Sequence, residues 1–356
     1  MKKININLDQ RSYSIFVELN LINQISKILL GKNNGQKWII ISQDNLMELF
    51  GFQLFRNFKN EGFIIDYITI PNSETAKSLN EYKRIISQMI DFGCDRSTRI
   101  IALGGGVVGD LSGFVASSFM RGIEYYQIPT TLLSMVDSSI GGKTGINIAE
   151  GKNLIGSIYQ PSGVFIDPKL LNSLSKEEVF SGLGEVIKYG AIRDKNFLEK
   201  LSNWLDNVDQ FPYDKAIEKS CAIKAEIVSK DERETKLRKF LNFGHTIGHA
   251  LEATIGYDKI RHGEAVSYGM LCSGWISKEL KLLSTEEYLY LVKIIKKLGL
   301  PKITQIDNGT LLSYINQDKK KKDGIIQFVL LNNLGKGILI DNVTKDLILG
   351  SVKKLS

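Results

Sequence analysis

The three histidines of this chain lie together in one stretch of sequence, between His245 and His262. His245 and His249 are four residues apart in a predicted helix, Phe240–Ile255, and therefore lie on one helical face. His262 follows a predicted break at Gly256 and begins the next helix. Because imidazole is a common ligand of divalent transition metals, this clustering predicts a metal site rather than three unrelated core histidines.

A glutamate and a lysine one helical turn apart, Glu185 and Lys188 in the segment GEVIK, are further candidates. Catalytic zinc typically takes three protein ligands and leaves one position for water or substrate. Two histidines and one glutamate form such a set, although the spacing leaves open which two histidines bind. The pattern H-x-x-x-H lacks the internal glutamate of the H-E-x-x-H metalloprotease motif, so that class of site is rejected.

Three polar residues upstream of the histidines, Lys224, Arg238 and Asn242, indicate an anionic ligand. In a continuous helix, Arg238, Asn242 and His245 stand at positions i, i+4 and i+7 and share one face. A guanidinium, an amide and an imidazole in one stripe would bind a carboxylate beside a metal. The other charged residues in 230–234 are expected to form an ordinary solvated helix face.

A glycine loop, GGGVVGD at Gly104–Asp110, follows a predicted strand and opens a predicted helix. Glycines at the G-x-G-x-x-G positions let the backbone approach a pyrophosphate, and the helix N-terminus supplies N–H donors. The context predicts a nucleotide site. The motif follows a later strand rather than the first one, which argues against an ordinary dehydrogenase fold.

The next glycine-rich block places Lys143 and Lys152 among small residues, on predicted loops near Asp137 and Asn153. Ammonium groups and backbone N–H groups on such loops suit an oxyanion, so we expect a binding site rather than a solvated loop. The run GGKT does not have P-loop spacing, because no glycine stands five residues before Gly142.

The elements that must position these residues fall into two classes. In the first half, β-branched runs alternate with an amphipathic helix at Lys77–Asp91, which predicts βαβ units, a parallel sheet and ligands at the carboxyl ends of its strands. The predicted strands are Trp38–Ser42, Ile64–Ile70, Arg99–Leu103, Tyr125–Ile128 and Val164–Ile166.

The second half is predicted to be helical from Ser175, an N-cap candidate, to about Lys297, with a late hairpin at Ile325–Leu331 and Gly337–Ile340. We therefore expect an α/β nucleotide-binding domain with a parallel sheet at 1–172. A mostly α-helical domain that binds metal and substrate is expected at 173–356.

Composition limits the function classes. A net charge of +7, with 24% charged and 43% hydrophobic residues, is typical of a globular protein with an anionic partner. No basic stripe interleaved with aromatic residues is present, which disfavours nucleic acid. The scattered cysteines, Cys94, Cys221 and Cys272, favour a reducing cytoplasm. The sequence lacks a recognisable signal peptide and any apolar run near the ~20 residues that span a bilayer, so no membrane partner is expected.

Seven stretches in family order resemble the 3-dehydroquinate synthases, which belong to the sugar phosphate cyclases. The resemblance implies an N-terminal nucleotide-binding α/β domain, a helical C-terminal domain, a homodimer, tightly bound NAD and one catalytic divalent metal ion, zinc or cobalt. The matching stretches are Gly104–Gly122, Ile128–Asn147, Gly151–Pro161, Gly182–Ile192, Lys224–Glu234, Leu241–Glu252 and His262–Met270.

The implied reaction converts 3-deoxy-D-arabino-heptulosonate 7-phosphate into 3-dehydroquinate and phosphate, on the route to aromatic amino acids. NAD transiently oxidises the C5 hydroxyl, which acidifies the C6–H bond. Phosphate is eliminated, the ketone is reduced again, and the opened ring closes by an aldol step. NAD is therefore recycled within one turnover.

The same resemblance implies a role for individual residues. Glu185, His245 and His262 match the metal ligands, and His249 matches a histidine that hydrogen-bonds near the reacting centre. Four residues match contacts to the substrate carboxylate and hydroxyls: Lys188, Lys224, Arg238 and Asn242. The remaining substrate-side matches are Lys143, Lys152 and Asn153 for the phosphate, Asp137 for orientation, Arg121 for the neighbouring subunit's site, and Lys320, although the run Lys319–Lys322 leaves open which lysine acts.

The implied NAD contacts include Ser173, where the family usually has threonine; the hydroxyl is retained, so little consequence is expected. These contacts match Asp44, Asn72, Glu74, Lys77, Gly105, Gly106, Val107, Val108, Gly109, Asp110, Thr130, Thr131, Lys143, Lys152, Leu170, Leu171, Asn172 and Ser173.

Three alternatives remain at this point. Another sugar phosphate cyclase would share the fold, NAD and metal, but Gly141–Thr144 and the pair Arg238 and Asn242 favour a substrate with a carboxylate. A metal-dependent polyol dehydrogenase would accumulate NADH. A basic nucleic-acid binder would be retained on DNA in a salt-dependent way and hold no NAD.

Overall fold

The chain folds into two compact units. The computed structural model describes residues 1–256, 259–303, 306–317, 326–341 and 343–355. The first unit contains Met1–Leu174 and Lys224–Glu232, and the second contains Ser175–Ile223 and Arg233–Ser356. The sequence-based division at 172/173 thus lies two residues from the first observed boundary, and it placed the segment Lys224–Glu232 with the helical half instead.

The first unit is built on a seven-stranded sheet with the order β1-β2-β9-β6-β5-β3-β4. β1 pairs with β2 in antiparallel orientation, and the other neighbours in this sheet are parallel. The strands of this sheet are β1 (Lys2–Ile6), β2 (Tyr13–Val17), β3 (Lys37–Gln43), β4 (Ile64–Ile70), β5 (Arg99–Gly104), β6 (Tyr125–Pro129) and β9 (Gly163–Ile166). Two further strands, β7 (Lys143–Ile148) and β8 (Gly151–Ile158), form a separate two-stranded sheet.

The predicted parallel sheet is confirmed, and all five predicted strands are present. Strand β3, which lies between β5 and β4, is apolar on both faces, with Ile39, Ile40 and Ile41 fully buried, as expected for a parallel strand covered on both sides. The helices of this unit are α1 (Ile25–Leu29), α2 (Asp44–Leu46), α3 (Phe52–Asn60), α4 (Leu79–Asp91) and α5 (Gly106–Ser118).

Helix α4 begins two residues later than predicted. The Ser78 hydroxyl accepts a hydrogen bond from the Glu81 N–H, which makes Ser78 the N-cap. Lys77 therefore lies outside the helix, in the connection from β4.

The predicted loops around Lys143 and Lys152 are wrong, because both lysines lie in the antiparallel hairpin β7–β8. The glycines of this segment serve close strand approach rather than flexibility. A Cβ at Gly145 would lie 2.6 Å from the Ile155 carbonyl oxygen, and one at Gly156 would overlap the Thr144 carbonyl oxygen. Glycine content alone is therefore a poor guide to loops here.

The second unit is mainly helical, as predicted. Ser175 caps its first helix by accepting a hydrogen bond from the Glu178 N–H. The late hairpin is confirmed as β10 (Gln327–Leu331) and β11 (Gly337–Asp341). The helices are α6 (Lys176–Arg193), α7 (Lys195–Trp204), α8 (Tyr213–Lys230, whose residues from Lys224 onward belong to the first unit), α9 (His245–Ile255), α10 (His262–Glu279), α11 (Thr285–Lys296), α12 (Asn308–Gln317) and α13 (Lys345–Val352).

The predicted helix Phe240–Ile255 is too long. Residues Leu237–Asn242 form a 3-10 helix, and Gly244 adopts a left-handed φ of 80° before α9 begins at His245. Arg238, Asn242 and His245 are therefore not on one helical face, which corrects the stripe expected from their spacing. Among the described helices, none is both long and apolar enough to cross a membrane.

Candidate metal and nucleotide sites

The histidine cluster and the buried glutamate come together in the second unit. His245 is the first residue of α9, His262 is the first residue of α10, and Glu185 lies in the middle of α6. Glu185 Oε1 is 3.4 Å from His245 Nε2 and 3.8 Å from His262 Nε2. Three side chains from three helices therefore point at one another.

Close helix packing explains this convergence, because a glycine adjoins each of the three residues in sequence. A Cβ at Gly184 would lie 2.7 Å from the Gly263 carbonyl oxygen, and one at Gly263 would overlap the Ser181 carbonyl oxygen. Gly244 needs its positive φ, and a Cβ there would lie 2.6 Å from the Val266 carbonyl oxygen. Glycine thus lets α6, α9 and α10 approach closely enough for the adjacent side chains to meet.

The Glu185 carboxylate is fully buried, and a buried negative charge is stable only beside a positive charge. Its side chain is 0% exposed, and Oε1, the oxygen that faces the two imidazoles, accepts no hydrogen bond from the described residues. Lys188, one turn along α6 and 1% exposed, forms a salt bridge with it. Burying a carboxylate without hydrogen bonds is costly, and a metal ion between Glu185 and the two imidazoles would satisfy the oxygen that faces them.

The two imidazoles are held with Nε2 towards Glu185. His245 Nδ1 is 3.2 Å from the Phe243 carbonyl oxygen, and His262 Nδ1 is 3.4 Å from Glu252 Oε1. Such contacts to Nδ1 are typical of metal-binding histidines, since they fix the ring and direct the other nitrogen at the ion. Sequence reasoning missed Glu252, although its position seven residues after His245 on α9 offers a helical-spacing signal.

The distances suit a single divalent ion. Zinc bonds of about 2.0–2.2 Å in tetrahedral geometry place neighbouring ligand atoms roughly 3.3–3.6 Å apart, close to the values at Glu185. Ring nitrogens of His245, His249 and His262 also lie within 4.8 Å of one another. His249 is the exposed member of this group, so it stands on the solvent side of the cluster.

The other candidate residues of the second unit lie on α6, which carries Lys188, and on the 3-10 helix Leu237–Asn242, which carries Arg238 and Asn242. Lys188 stands over the Tyr189 ring, with its Nζ 5.3 Å from the ring centroid. Arg238 is buried on the 3-10 helix, and the amide of Asn242 on the same helix donates to Glu234.

In the first unit, the residues expected to contact NAD follow the carboxyl ends of parallel strands. Asp44 comes after β3, the segment 72–77 after β4, and the glycine loop after β5. β4 and β5 lie on opposite sides of β3, so the chain reverses direction across the sheet there. In open α/β sheets such a switch point is where ligands bind. Thr130 and Thr131 follow β6, and residues 170–173 follow β9.

The glycine loop itself fits a phosphate group. Gly105 is the extended N-cap of α5, so the first N–H groups of that helix are available at the sheet edge. A Cβ at Gly105 would come within 3.2 Å of Thr131 Cγ2, and one at Gly106 within 3.3 Å of Ser138 Oγ. Glycine therefore keeps open the space that lies between the loop and these two residues.

A buried lysine joins several of the predicted nucleotide and phosphate contacts. Lys77 Nζ is 2.7 Å from Asp110 Oδ2 and 2.5 Å from Asn153 Oδ1. Burial raises the pKa of Asp110, and the neighbouring Lys77 ammonium opposes that shift. The structure thus unites Lys77, Asp110 and Asn153, which sequence spacing alone did not bring together.

A second ion pair in the same unit involves Asp137 and Lys224. Lys224 Nζ lies 2.6 Å from Asp137 Oδ1 and 2.7 Å from the Asp137 carbonyl oxygen. Although 87 positions separate them in sequence, these residues form one cluster in the fold.

Other candidates are more dispersed. Lys143 and Lys152 lie near opposite ends of the hairpin β7–β8, since Lys143 pairs with Ile158 while Gly151 pairs with Ile148. Exposed Arg121 has a left-handed φ of 68°. The side chains of Leu170 and Leu171 are in the core, whereas Asn172 and Ser173 are exposed. Lys320 and the run Lys319–Lys322 lie outside the described residues.

Known proteins with related sequences share one description. The family model for the 3-dehydroquinate synthase N-terminal domain matches residues 67–181, and the C-terminal one matches residues 182–321. A 3-dehydroquinate synthase from Thermodesulfovibrio yellowstonii is 45% identical over 343 residues, covering 94% of this chain and 95% of the relative.

Two solved structures are similar over nearly the whole chain. A 2-epi-5-epi-valiolone synthase from Streptomyces hygroscopicus subsp. jinggangensis 5008, with NAD+ and Zn2+ bound, has a TM-score of 0.87 at 26% identity and 98% coverage of both chains. A 2-deoxy-scyllo-inosose synthase complexed with carbaglucose-6-phosphate, NAD+ and Co2+ has a TM-score of 0.90 at 24% identity, covering 99% of this chain and 100% of that one. The second likeness concerns the fold alone. With both family models matched in order, this chain belongs to the 3-dehydroquinate synthase family.

Proposed function

We propose that this chain converts 3-deoxy-D-arabino-heptulosonate 7-phosphate into 3-dehydroquinate and phosphate, using NAD and one divalent metal ion. The observation that carries the proposal is the convergence of Glu185, His245 and His262 in a chain 45% identical to a 3-dehydroquinate synthase. The valiolone synthase that resembles this chain binds NAD+ and Zn2+, which supports the same cofactors here.

Glu185 and the Nε2 atoms of His245 and His262 would hold the metal. Bound there, the ion would polarise a substrate hydroxyl or carbonyl oxygen, and NAD would accept and return a hydride. The Glu252 carboxylate keeps the His262 ring oriented, and the Phe243 carbonyl oxygen does the same for His245. The protein thus fixes both imidazole rings before any ligand arrives.

Cationic side chains would bind the anionic ends of the substrate. The planar guanidinium of Arg238 suits bidentate contact with a carboxylate, while Lys188 presents a buried ammonium beside Glu185. On the first unit, Lys143, Lys152 and Asn153 would receive the phosphate. Because phosphate leaves as an anion, hydrogen-bond donors placed there stabilise the charge that develops as its bond breaks.

Two groups in the first unit are pre-oriented for polar contacts. The Asp137 carboxylate is held by Lys224, and the Lys77 ammonium is held by Asp110 and Asn153. Both pairs are fixed by hydrogen bonds, which reduces the entropy lost when they bind a ligand. We assign Asp137 to substrate orientation and Lys77 to the nucleotide.

The decisive assay follows inorganic phosphate and NADH together. The chain, supplied with the heptulosonate phosphate, NAD and Zn2+ or Co2+, should release phosphate and accumulate no net NADH. A polyol dehydrogenase would accumulate NADH with a polyol substrate. A sibling cyclase would leave the heptulosonate phosphate intact, and either result would refute the proposed substrate.

We infer further that the chain acts as a homodimer in the cytoplasm, without a nucleic-acid or membrane partner. The family resemblance supports the dimer, and the three buried cysteine thiols suit a reducing compartment. Arg121 would then serve the neighbouring subunit's site.

Shared sites predict complementation between two inactive variants. Mixing Arg121→Ala with His262→Ala subunits should restore roughly a quarter of wild-type activity, because half of randomly paired dimers are mixed and each has one complete site. Phosphate release after denaturation and joint refolding measures the rescue. No activity above the sum of the separate variants would show that Arg121 acts within its own subunit.

Glu252→Gln should weaken metal binding without removing a ligand. The amide cannot offer the charged acceptor that now faces His262 Nδ1, so we expect Zn2+ affinity to fall about 10- to 100-fold. Competition with a chromophoric chelator measures this affinity. Glu199→Gln, the same change on an exposed position of α7, is the control. Equal Zn2+ affinity in both variants would rule out the orienting role.

A further inference from the structure

One asparagine in the first unit connects the predicted nucleotide contacts with the predicted phosphate contacts. Asn147, in β7, donates its backbone N–H to the Lys77 carbonyl oxygen at 2.8 Å. Its side-chain amide donates to Glu74 Oε1 at 2.8 Å, and its side-chain oxygen accepts from the Asn153 N–H at 2.9 Å. The backbone N–H, the side-chain NH2 group and the side-chain oxygen of Asn147 therefore all form hydrogen bonds with these segments.

The strand geometry frees Asn147 for these contacts. The pairing of β7 with β8 is irregular between Ile146 and Ile148, so Asn147 is not part of the regular ladder. An irregularity of this kind redirects a side chain from its place in the sheet. Here the side chain spans from the segment after β4 to the start of β8.

The contact with Asn153 has a direct consequence for Lys77. Asn153 has a left-handed φ of 53°, a backbone conformation that asparagine adopts more readily than most other non-glycine residues. The Asn147 side-chain oxygen accepts a hydrogen bond from the Asn153 N–H and so fixes this turn, while Asn153 Oδ1 accepts one from Lys77 Nζ. Asn147, Asn153 and Lys77 thus form a closed ring of hydrogen bonds, and Glu74 is attached to it.

We propose that Asn147 is a positioning residue, which sets Glu74 and Lys77 for the nucleotide and Asn153 for the substrate phosphate at the same time. The inference rests on the proposed function, which assigns those ligands to Glu74, Lys77 and Asn153. Asparagine meets both demands of position 147, since its side chain donates to the Glu74 carboxylate and accepts from the Asn153 N–H. Aspartate would place a second carboxylate against Glu74, and an aliphatic residue would make neither bond.

Asn147→Ala tests the proposal, with Ser157→Ala as its control in the same hairpin. Ser157 Oγ lies 3.0 Å from Thr144 Oγ1, so the control also removes a hairpin side-chain contact. A hydrogen bond to a charged group contributes enough to change binding about tenfold. We therefore expect Asn147→Ala to weaken NAD binding, titrated without substrate, and to raise the substrate KM, each about tenfold and with a smaller change in kcat. The control should match the wild type.

Asn147→Asp separates the two connections and serves if the alanine variant fails to fold. It keeps the acceptor for the Asn153 N–H but repels Glu74, so NAD affinity should fall while the substrate KM stays near the wild-type value. The proposal is overturned if a folded Asn147 variant binds NAD and substrate as Ser157→Ala does. If the wild type binds NAD yet releases no phosphate, the proposed function fails, while the NAD titrations still decide the role of Asn147.

Discussion

Replacing His262 with alanine should strip the metal ion from the protein and lower kcat on the order of 10³-fold, while leaving the fold intact. The Nε2 atom of His262 is 3.8 Å from Glu185 Oε1, so its loss breaks a three-ligand site. The side chain is 32% exposed at the start of α10, and its removal therefore leaves no large cavity. Elemental analysis, phosphate release and thermal unfolding measure the three effects.

His249→Ala is the matched control for that experiment. His249 belongs to the same histidine cluster, but Glu185, His245 and His262 already complete the proposed ligand set. The control should retain one metal ion per chain, with activity reduced through a lost hydrogen bond rather than through metal loss. An active, metal-free His262→Ala protein, or metal loss only in His249→Ala, would contradict the assignment.

Lys188→Met should abolish turnover and expose how Glu185 depends on a cation. In the metal-free protein this change leaves a fully buried carboxylate without its ion pair, which typically destabilises a protein by about 3–5 kcal/mol. Added Zn2+ would supply the missing positive charge, so it should stabilise the variant more than the wild type. Denaturant unfolding with and without chelator measures the stability of the metal-free variant and its stabilisation by Zn2+, and phosphate release measures turnover.

The control for this second prediction is Lys219→Met. Lys219 pairs with Asp194 at 2.7 Å, but its side chain is 46% exposed, and exposed pairs contribute only about 0–1 kcal/mol. If metal-free Lys188→Met unfolds at the same denaturant concentration as Lys219→Met, the buried carboxylate does not need Lys188.

Much of the site was predictable because its signals are local. The clustering of His245, His249 and His262 and the glycine loop before α5 are visible in short windows of sequence. Hydrophobic periodicity likewise predicted five of the seven strands of the main sheet and the helical second half. These features depend on residues a few positions apart, which is the range that periodicity and motif spacing report.

The wrong helix bounds and the wrong loop prediction both arise from glycines whose structural role the sequence pattern does not reveal. A single left-handed residue, Gly244, ends the helix that periodicity extended back to Phe240, and it separates Arg238 and Asn242 from the histidine face. Lys143 and Lys152 are predicted on loops because glycines surround them, but Gly145 and Gly156 of the same segment allow β7 and β8 to pair closely. Glycine has several structural uses, and only the packing around it decides among them.

The division into units depends on distant contacts that no sequence pattern reveals. Glu232 accepts hydrogen bonds from Arg11 and Gln160, and Ser229 accepts one from the Asn7 N–H. These hydrogen bonds and the ion pair between Lys224 and Asp137 attach the segment Lys224–Glu232 to the first unit. The residues that bind this segment lie far from it in sequence. Its helical pattern therefore predicts that it belongs to the helical second unit, like the residues on either side of it.

The most direct test of the account is anomalous diffraction at the zinc absorption edge from crystals grown with Zn2+. We predict one anomalous peak per chain, about 2.0–2.2 Å from a Glu185 oxygen and from the Nε2 atoms of His245 and His262. A peak bound by the three histidines with Glu185 uninvolved, or no peak at this cluster, would contradict it.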